Sequence, residues 1–436
     1  MAMIYDAASE TMARDALRQL QLERLQATVL RAYRNVRFYR QLLDAQRIDV
    51  DCVRALSDLR RFPFTTKEDL RRAYPYDMFA VPLREIVRIH KSSGTTGKPI
   101  VVGYTHNDVQ RWSELVARQL VAAGLTDHDV VQVAFDYGMF TGGLGFQYGA
   151  EKIGAAVIPT SSGGPLADQL HIMRDYKTTA LVTTPSHATA LAHLLGELGM
   201  HPEELHLKCG IFGAEPWSES LRSFLEERLH IRAYDSYGLS ELTGPGVSGE
   251  CEAQQGLHVN EDHFIVEVVD PLRSEPLAAG EEGELVFTTL AKEGFPLLRY
   301  RTGDLGRLLE GPCPCGRTFV RMSRVAARTD DLIAIRGAKV LPSQIADLLA
   351  GVAGLERQFE IVLDRHDDQD VLELRVAVSE ESALLDEMKA LERLRRELLA
   401  KVEELLGFAA RLTIVEKSTL EASGKQGVRV VDRRRP

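Results

Sequence analysis

A chain of 436 residues, 44% hydrophobic and 27% charged, is too long for one compact core and too apolar for disorder, so two or more domains are expected. Its formal net charge of −10 opposes binding to nucleic acid or an anionic membrane, which needs concentrated Lys and Arg. No apolar run approaches the roughly 18 residues of a membrane helix, and MAMIYDAASETMARD lacks a basic segment followed by an apolar core. Five cysteines, an odd number, do not make a disulfide framework. A cytoplasmic, reducing setting with thiols free for metal is expected.

Residues 8–48 place Leu17, Leu20, Leu25, Val29, Leu30 and Tyr33 at helical spacing, which predicts an amphipathic helical opening that packs rather than reacts. From 80 to about 305, the β-rich runs DVVQVAF, AAVIPT, TALVTT, LKCGIFG, IRAYDSYG, HFIVEVV and GELVFTTL alternate with helical stretches. Such alternation predicts a layered α/β domain with its functional residues in loops at strand ends. After ARTDDLIAIRG (327–337) come the strand pair FEIVLDRHDDQDVLELRVAVS, a charged helix around 382–406 and the strand RLTIVEK. That is a small α+β unit of about one hundred residues, the size of an ordinary domain. The expected domains are 1–329 and 330–436, with the boundary at Asp330–Asp331.

Four loops stand out. SSGTTGKP (92–99) has the composition of a phosphate cradle, but Gly94 and Gly97 are only three apart and Lys98 is followed by Pro99. The hydroxyl and helix that a Walker loop needs are missing, so the P-loop NTPase reading fails. What remains is a glycine- and hydroxyl-rich hairpin tip between EIVRIHK and IVVGYT. Its amides can fold around a polyphosphate. YGMFTGGLGFQYG (137–149) lacks the dinucleotide fingerprint. It reads as a glycine-rich, ring-lined loop with Tyr137, Phe140, Gly143 and Phe146 facing a flat apolar ligand, or as a tightly packed aromatic loop. IFGAEPW (211–217) and AYDSYGLSELTG (233–244) each follow an apolar strand. Tyr237 could stack on a purine there, and Glu241 could hold Mg²⁺ beside phosphate oxygens. RYRTGDL (299–305) puts Asp304 after a strand, where a carboxylate can accept both ribose hydroxyls.

Cys251, His258, Cys313 and Cys315 have the spacing C-x6-H followed by C-x-C. Three thiolates and an imidazole suit tetrahedral zinc. Free cysteines beside a surface histidine are the competing reading, and His263 is a rival nitrogen. Cys52 and Cys209 read as packed thiols.

Taken in order, FPFTTKEDLR, SSGTTGKPIVVGYT, FTGGLG, DSYGLSE, RYRTGDL, CPCGRT and VLPSQI, with SGKQGVR near the C-terminus, resemble the phenylacetate-CoA ligase family of the adenylate-forming superfamily. The likeness runs from about residue 60 onward. It implies a large ATP- and acid-binding domain followed by a small mobile one, and a two-step reaction. A carboxylic acid and ATP give acyl-adenylate and pyrophosphate, and coenzyme A then takes the acyl group. The resemblance assigns Ser93, Gly94, Thr95, Thr96, Gly97 and Lys98 to the triphosphate, and Gly213, Ala214, Glu215, Asp235 and Tyr237 to adenine. It gives Asp304 to the ribose, Arg328 to the ribose or phosphate, and Glu241 to Mg²⁺. Lys425 would be the cation delivered to the reacting carboxylate and α-phosphate, Asp330 the hinge, and Gly337 the point where pantetheine passes. The cysteine–histidine set would hold a structural zinc. Phe146 and Gln147 stand where relatives have a small residue and a histidine. Phenylacetate is the default acid, with other aryl acids and small aliphatic acids open. A cofactor hydroxyl or carrier thiol as acceptor, or a nucleotide-binding relative without catalysis, are the alternatives, and the assembly reading allows a homodimer.

Overall fold

The computed structural model describes residues 3–92, 98–325, 327–329, 333–336, 338–340, 342–350, 352, 355–366, 369–378, 388–415, 420 and 428–434. The chain divides into two compact units, Met1–Ala326 and Ala327–Pro436.

The helical opening is three pieces, α1 (Ala7–Glu10), α2 (Arg14–Asn35) and α3 (Arg37–Ala45). The predicted stripe holds in part: Leu17, Leu25 and Val29 are wholly buried. In the FPFTTKEDLR segment, Thr66 accepts from the Asp69 amide while the Asp69 carboxylate accepts from the Thr66 amide, a capping box that starts α4 (Lys67–Arg72). The hairpin of β1 (Arg88–Lys91) and β2 (Val101–Tyr104) pairs Arg88 with Tyr104 and Lys91 with Val101. A second capping box, Thr105 with Asp108, starts α5 (His106–Ala122).

Strand and helix then alternate as the sequence predicts: β3 (Val130–Val133), α6 (Gly142–Lys152), β4 (Ala156–Ile158), α7 (Leu166–Asp175), β5 (Ala180–Thr183), α8 (Pro185–Glu197), β6 (Cys209–Gly213), α9 (Glu219–Leu229) and β7 (Arg232–Leu239). β8 (Gly244–Glu250) and β9 (Leu257–Val259) return antiparallel. Next come β10 (Phe264–Val269), β11 (Gly283–Thr289) and β12 (Tyr300–Gly306), joined antiparallel in that order, and then β13 (Leu308–Leu309) and β14 (Arg321–Met322). The main sheet runs β13-β14-β9-β8-β7-β6-β5-β3-β4, parallel from β7 to β4. In such a sheet, ligands meet the carboxyl ends of the parallel strands.

The glycine-rich stretch is not the loop, ring-lined or tightly packed, that its composition suggests. From Gly142 it is the helix α6. A Cβ on Gly145 would lie 2.5 Å from the Trp112 ring and one on Gly149 2.4 Å from Val116, so two of these glycines let α6 close on α5.

The second unit opens with β15 (Ala327–Arg328), followed by the hairpin of β16 (Ile333–Ile335) and β17 (Ala338–Val340), then α10 (Pro342–Ala350). The predicted strand pair is β18 (Leu355–His366) and β19 (Gln369–Val378). The charged helix is α11 (Met388–Leu406), the last predicted strand β20 (Arg411–Val415), and β21 (Val428–Asp432) adds a strand that composition does not flag. The sheet order is β20-β19-β18-β21. Leu398 and Val402 of α11 share one core with Ile361, Leu363 and Leu374.

Candidate active site

The expected adenine residues gather at the carboxyl ends of β6 and β7. A Cβ on Gly213 would stand 2.4 Å from the Ser236 carbonyl oxygen, so only glycine fits at this step of the β6–β7 ladder. Ala214 turns the chain out of the strand at φ +68°, and the Glu215 carboxylate accepts from the Ser186 amide (3.1 Å) and hydroxyl (2.8 Å) at the start of α8. Asp235 and Tyr237 lie within β7 rather than in the loop after it, and Asp304 lies within β12 rather than beyond its end. The Tyr237 hydroxyl donates to Asp304 at 2.8 Å, and its ring stacks on Phe287 at 5.9 Å. The purine and ribose candidates thus form one unit across two sheets.

Behind them, burial and the neighbouring Glu250 push the Asp235 carboxyl up to about 6, against the pull of Arg324. Arg324 lies 3.5 Å from Asp235 and over the Trp217 ring at 4.3 Å. Sequence reading passes over this arginine, because nothing local marks it; its partners are far away in the chain.

Glu241 sits in the four-residue reversal between β7 and β8. Gly238 and Gly244 cross so closely there that a Cβ on Gly238 would be 1.9 Å from the Gly244 oxygen. Glu241 is only 5% exposed, and among the described residues no hydrogen bond or ion pair occupies its carboxylate. Its backbone is firmly held. Lys292 Nζ donates to the Glu241 oxygen (3.1 Å) and the Leu242 oxygen (2.7 Å). The Tyr104 hydroxyl is shared between the oxygens of Ser240 (3.1 Å) and Thr243 (3.2 Å). Burial pushes the Lys292 ammonium down to about 7 against the opposing pull of Asp108 and Glu241.

Of the acid-pocket candidates, Phe146 is a core residue of α6, stacked on Phe135 at 5.6 Å and 8°, and Phe140 is tilted against the same ring at 6.2 Å. A Cβ on Gly143 would meet the Asp136 oxygen at 2.8 Å. The Tyr137 hydroxyl is buried without a hydrogen-bond partner among the described residues, and burial raises its pKa well above the usual phenol range.

Ser92 closes the β1–β2 hairpin, its amide donating to the Ile100 oxygen and its hydroxyl accepting from the Ile100 amide, and exposed Lys98 lies 5.7 Å from the centre of the Tyr74 ring. The other candidates of that loop, Ser93, Gly94, Thr95, Thr96 and Gly97, lie outside the described residues, as do Asp330, Gly337 and Lys425. Arg328 is in β15, in the second unit.

The four metal candidates converge. Cys251 follows β8, His258 is in β9 rather than in a loop, and Cys313 and Cys315 precede β14. All are buried, with ligand atoms within 4.8 Å of one another. Cys251 Sγ is 3.6 Å from Cys313 Sγ and Cys315 Sγ is 3.4 Å from His258 Nε2. A tetrahedron with Zn–S bonds of about 2.3 Å has sulfurs about 3.8 Å apart. His258 Nδ1 faces the Phe319 oxygen at 3.4 Å, which leaves Nε2 for a metal. Hydrogen bonds from Cys251 and His258 hold the Cys315 thiol far below its ordinary value, while Cys251 and Cys313 are raised. His263 turns away from this set, toward Asp262 at 3.1 Å.

The AMP-binding enzyme family model matches residues 12–290, and the AMP-binding enzyme C-terminal domain matches residues 337–434. The phenylacetate-coenzyme A ligase of Thermus thermophilus is 45% identical over 446 residues, 99% of this chain and all of that one. The enzyme of the same name from Escherichia coli K12 is 45% identical over 427 residues, covering 98% and 97% of the two chains. Among solved structures, an open conformation of 2-hydroxyisobutyryl-CoA ligase in complex with 2-HIB-AMP and CoA is similar, with a TM-score of 0.82, 29% identity, and coverage of 97% and 93%.

Proposed function

The chain belongs to the AMP-binding enzyme family, and from that membership and the geometry of the cleft we infer that it ligates an arylacetic acid, phenylacetate or a close analogue, to coenzyme A with release of AMP and pyrophosphate. The observation that carries this reading is the Tyr237–Asp304 pair at the carboxyl end of the parallel strands, with Tyr237 on the same hairpin as Glu241, whose carboxylate has no partner among the described residues.

In the first step a carboxylate oxygen attacks the α-phosphorus, and the bond from that phosphorus to the bridging oxygen of pyrophosphate breaks. Bringing two anions together is favourable only where positive charge stands ready. Tyr237 and Asp304 orient the nucleoside. Glu241 would hold Mg²⁺, which when bound neutralises phosphate charge, and Lys425 would approach the carboxylate and α-phosphate from the second unit. The loop 93–98 would close on the outer phosphates. The rings of Tyr137 and Phe140 would bound the apolar end of the acid. In the second step the thiolate of coenzyme A attacks the acyl carbon and AMP leaves, with Lys425 withdrawn and the chain around Gly337 facing the cleft after rotation about Asp330.

Pyrophosphate release over a panel of carboxylic acids, with and without coenzyme A, tests the reading. Acid-dependent release with thioester formation supports it. Release without thioester points to another acceptor, and no release with any acid points to a nucleotide-binding relative without catalysis. A structural zinc on Cys251, His258, Cys313 and Cys315 belongs to the same proposal. It predicts about one zinc per chain, lost in Cys313→Ser with a lower melting temperature. A homodimer and a cytoplasmic location complete it, for sedimentation and fractionation to decide.

A further inference from the structure

The reversal from β7 to β8 leaves four consecutive carbonyls, those of residues 240–243, without strand partners. Two side chains from elsewhere serve all four: the Tyr104 hydroxyl takes the outer pair and Lys292 Nζ the inner pair. Lys292 is itself fixed. The amides of Glu293 (2.7 Å) and Gly294 (2.8 Å) donate to the Asp108 carboxylate, which also closes the capping box of α5. Its ammonium lies 4.5 Å from the centre of the Tyr104 ring and 5.4 Å from that of Phe295. Among the described residues it forms no ion pair. A buried ammonium spent on two backbone oxygens is a costly way to tie a turn. The placement is explained by what the turn carries, since supports behind a metal ligand govern its affinity.

We propose that Lys292 is the positioning residue of the metal carboxylate, clamping the carbonyls of Glu241 and Leu242 so that the Glu241 side chain leaves the backbone toward the nucleotide. The proposal rests on the reading of Glu241 as the Mg²⁺ ligand. It gives the TLAKEG segment a role that its composition does not announce.

The test is calorimetric titration of ATP with and without Mg²⁺ for the wild type, Glu241→Gln and Lys292→Met, the last keeping the unbranched stem. Lys292→Met is expected to lose on the order of 10- to 100-fold of the tightening that Mg²⁺ gives ATP, the usual range for supports of metal ligands. ATP binding without metal should be unchanged, and so should thioester formation from supplied acyl-adenylate and coenzyme A. Full tightening in Lys292→Met, with Glu241→Gln having lost it, overturns the proposal. Full tightening in Glu241→Gln overturns the underlying assignment of Glu241 instead. Equal loss of ATP binding with and without metal, or of both half-reactions together, marks a mere strut and also overturns it. Should Lys292→Met not fold, Lys292→Arg, which keeps the charge but displaces the donors, is read the same way.

Discussion

Glu241 and Lys292 meet across 51 residues of chain, and that distance separates what a sequence tells from what it hides. Tyr237 and Asp304 stand out because what they offer, a ring and a carboxylate beside an apolar run, is local in the sequence. Lys292 and Arg324 take their meaning from partners that only folding supplies, so composition cannot find them. The residue-scale prediction with the largest expected effect is Lys425→Ala. Adenylation should fall by at least about 100-fold, the scale of removing one preorganised charge from a transition state. Thioester formation from supplied acyl-adenylate should persist. Rapid-quench measurement of each half-reaction checks this, and equal losses would remove Lys425 from its assigned step.

At the scale of elements, α6 shows a legible pattern misread. Five glycines among aromatic rings suggest a loop, since glycine weakens a helix, and yet residues 142–152 are helical. Contact with α5 decides the matter, because Gly145 and Gly149, one turn apart, allow an approach that any side chain would block. Gly149→Ala should therefore cost about 1–3 kcal/mol by overpacking, seen as a lower melting temperature with little change in ATP affinity. A stability unchanged by that methyl group would mean the two helices are not as close as described. The capping boxes at Thr66 and Thr105 need no such distant contact: both partners lie within four residues of sequence.

Across the whole first unit, a buried ion cluster ties distant parts of the chain together. Arg118 of α5 donates to both Asp262 oxygens at 2.9 and 3.0 Å and to Asp6 at 2.7 Å. Burial works against the Asp262 carboxylate, yet His263 and Arg118 hold it well below the usual range. Burial lowers His263 itself, so near neutrality its ring is uncharged and Arg118 carries the pairing. A depressed carboxylate stabilises the fold fully above its unfolded pKa of about 3.9 and gives that stability up as pH falls toward the folded value. Arg118→Ala should cost about 3–5 kcal/mol at neutral pH by stranding Asp262, with the deficit shrinking below about pH 4 as the acid protonates. Urea denaturation at pH 7 and pH 3.5 measures both. The α/β order of this unit was readable from its alternating strands and helices. This cluster was not, because its members come from opposite ends of the unit.

The central claim is that the acid is activated through AMP, and an oxygen label follows that event directly. With both carboxylate oxygens of phenylacetate replaced by ¹⁸O, turnover with ATP and coenzyme A should leave one ¹⁸O in AMP and none in pyrophosphate, because the bridging oxygen of the acyl-adenylate departs with the nucleotide. Unlabelled AMP, or ¹⁸O in a released phosphate, would contradict the account.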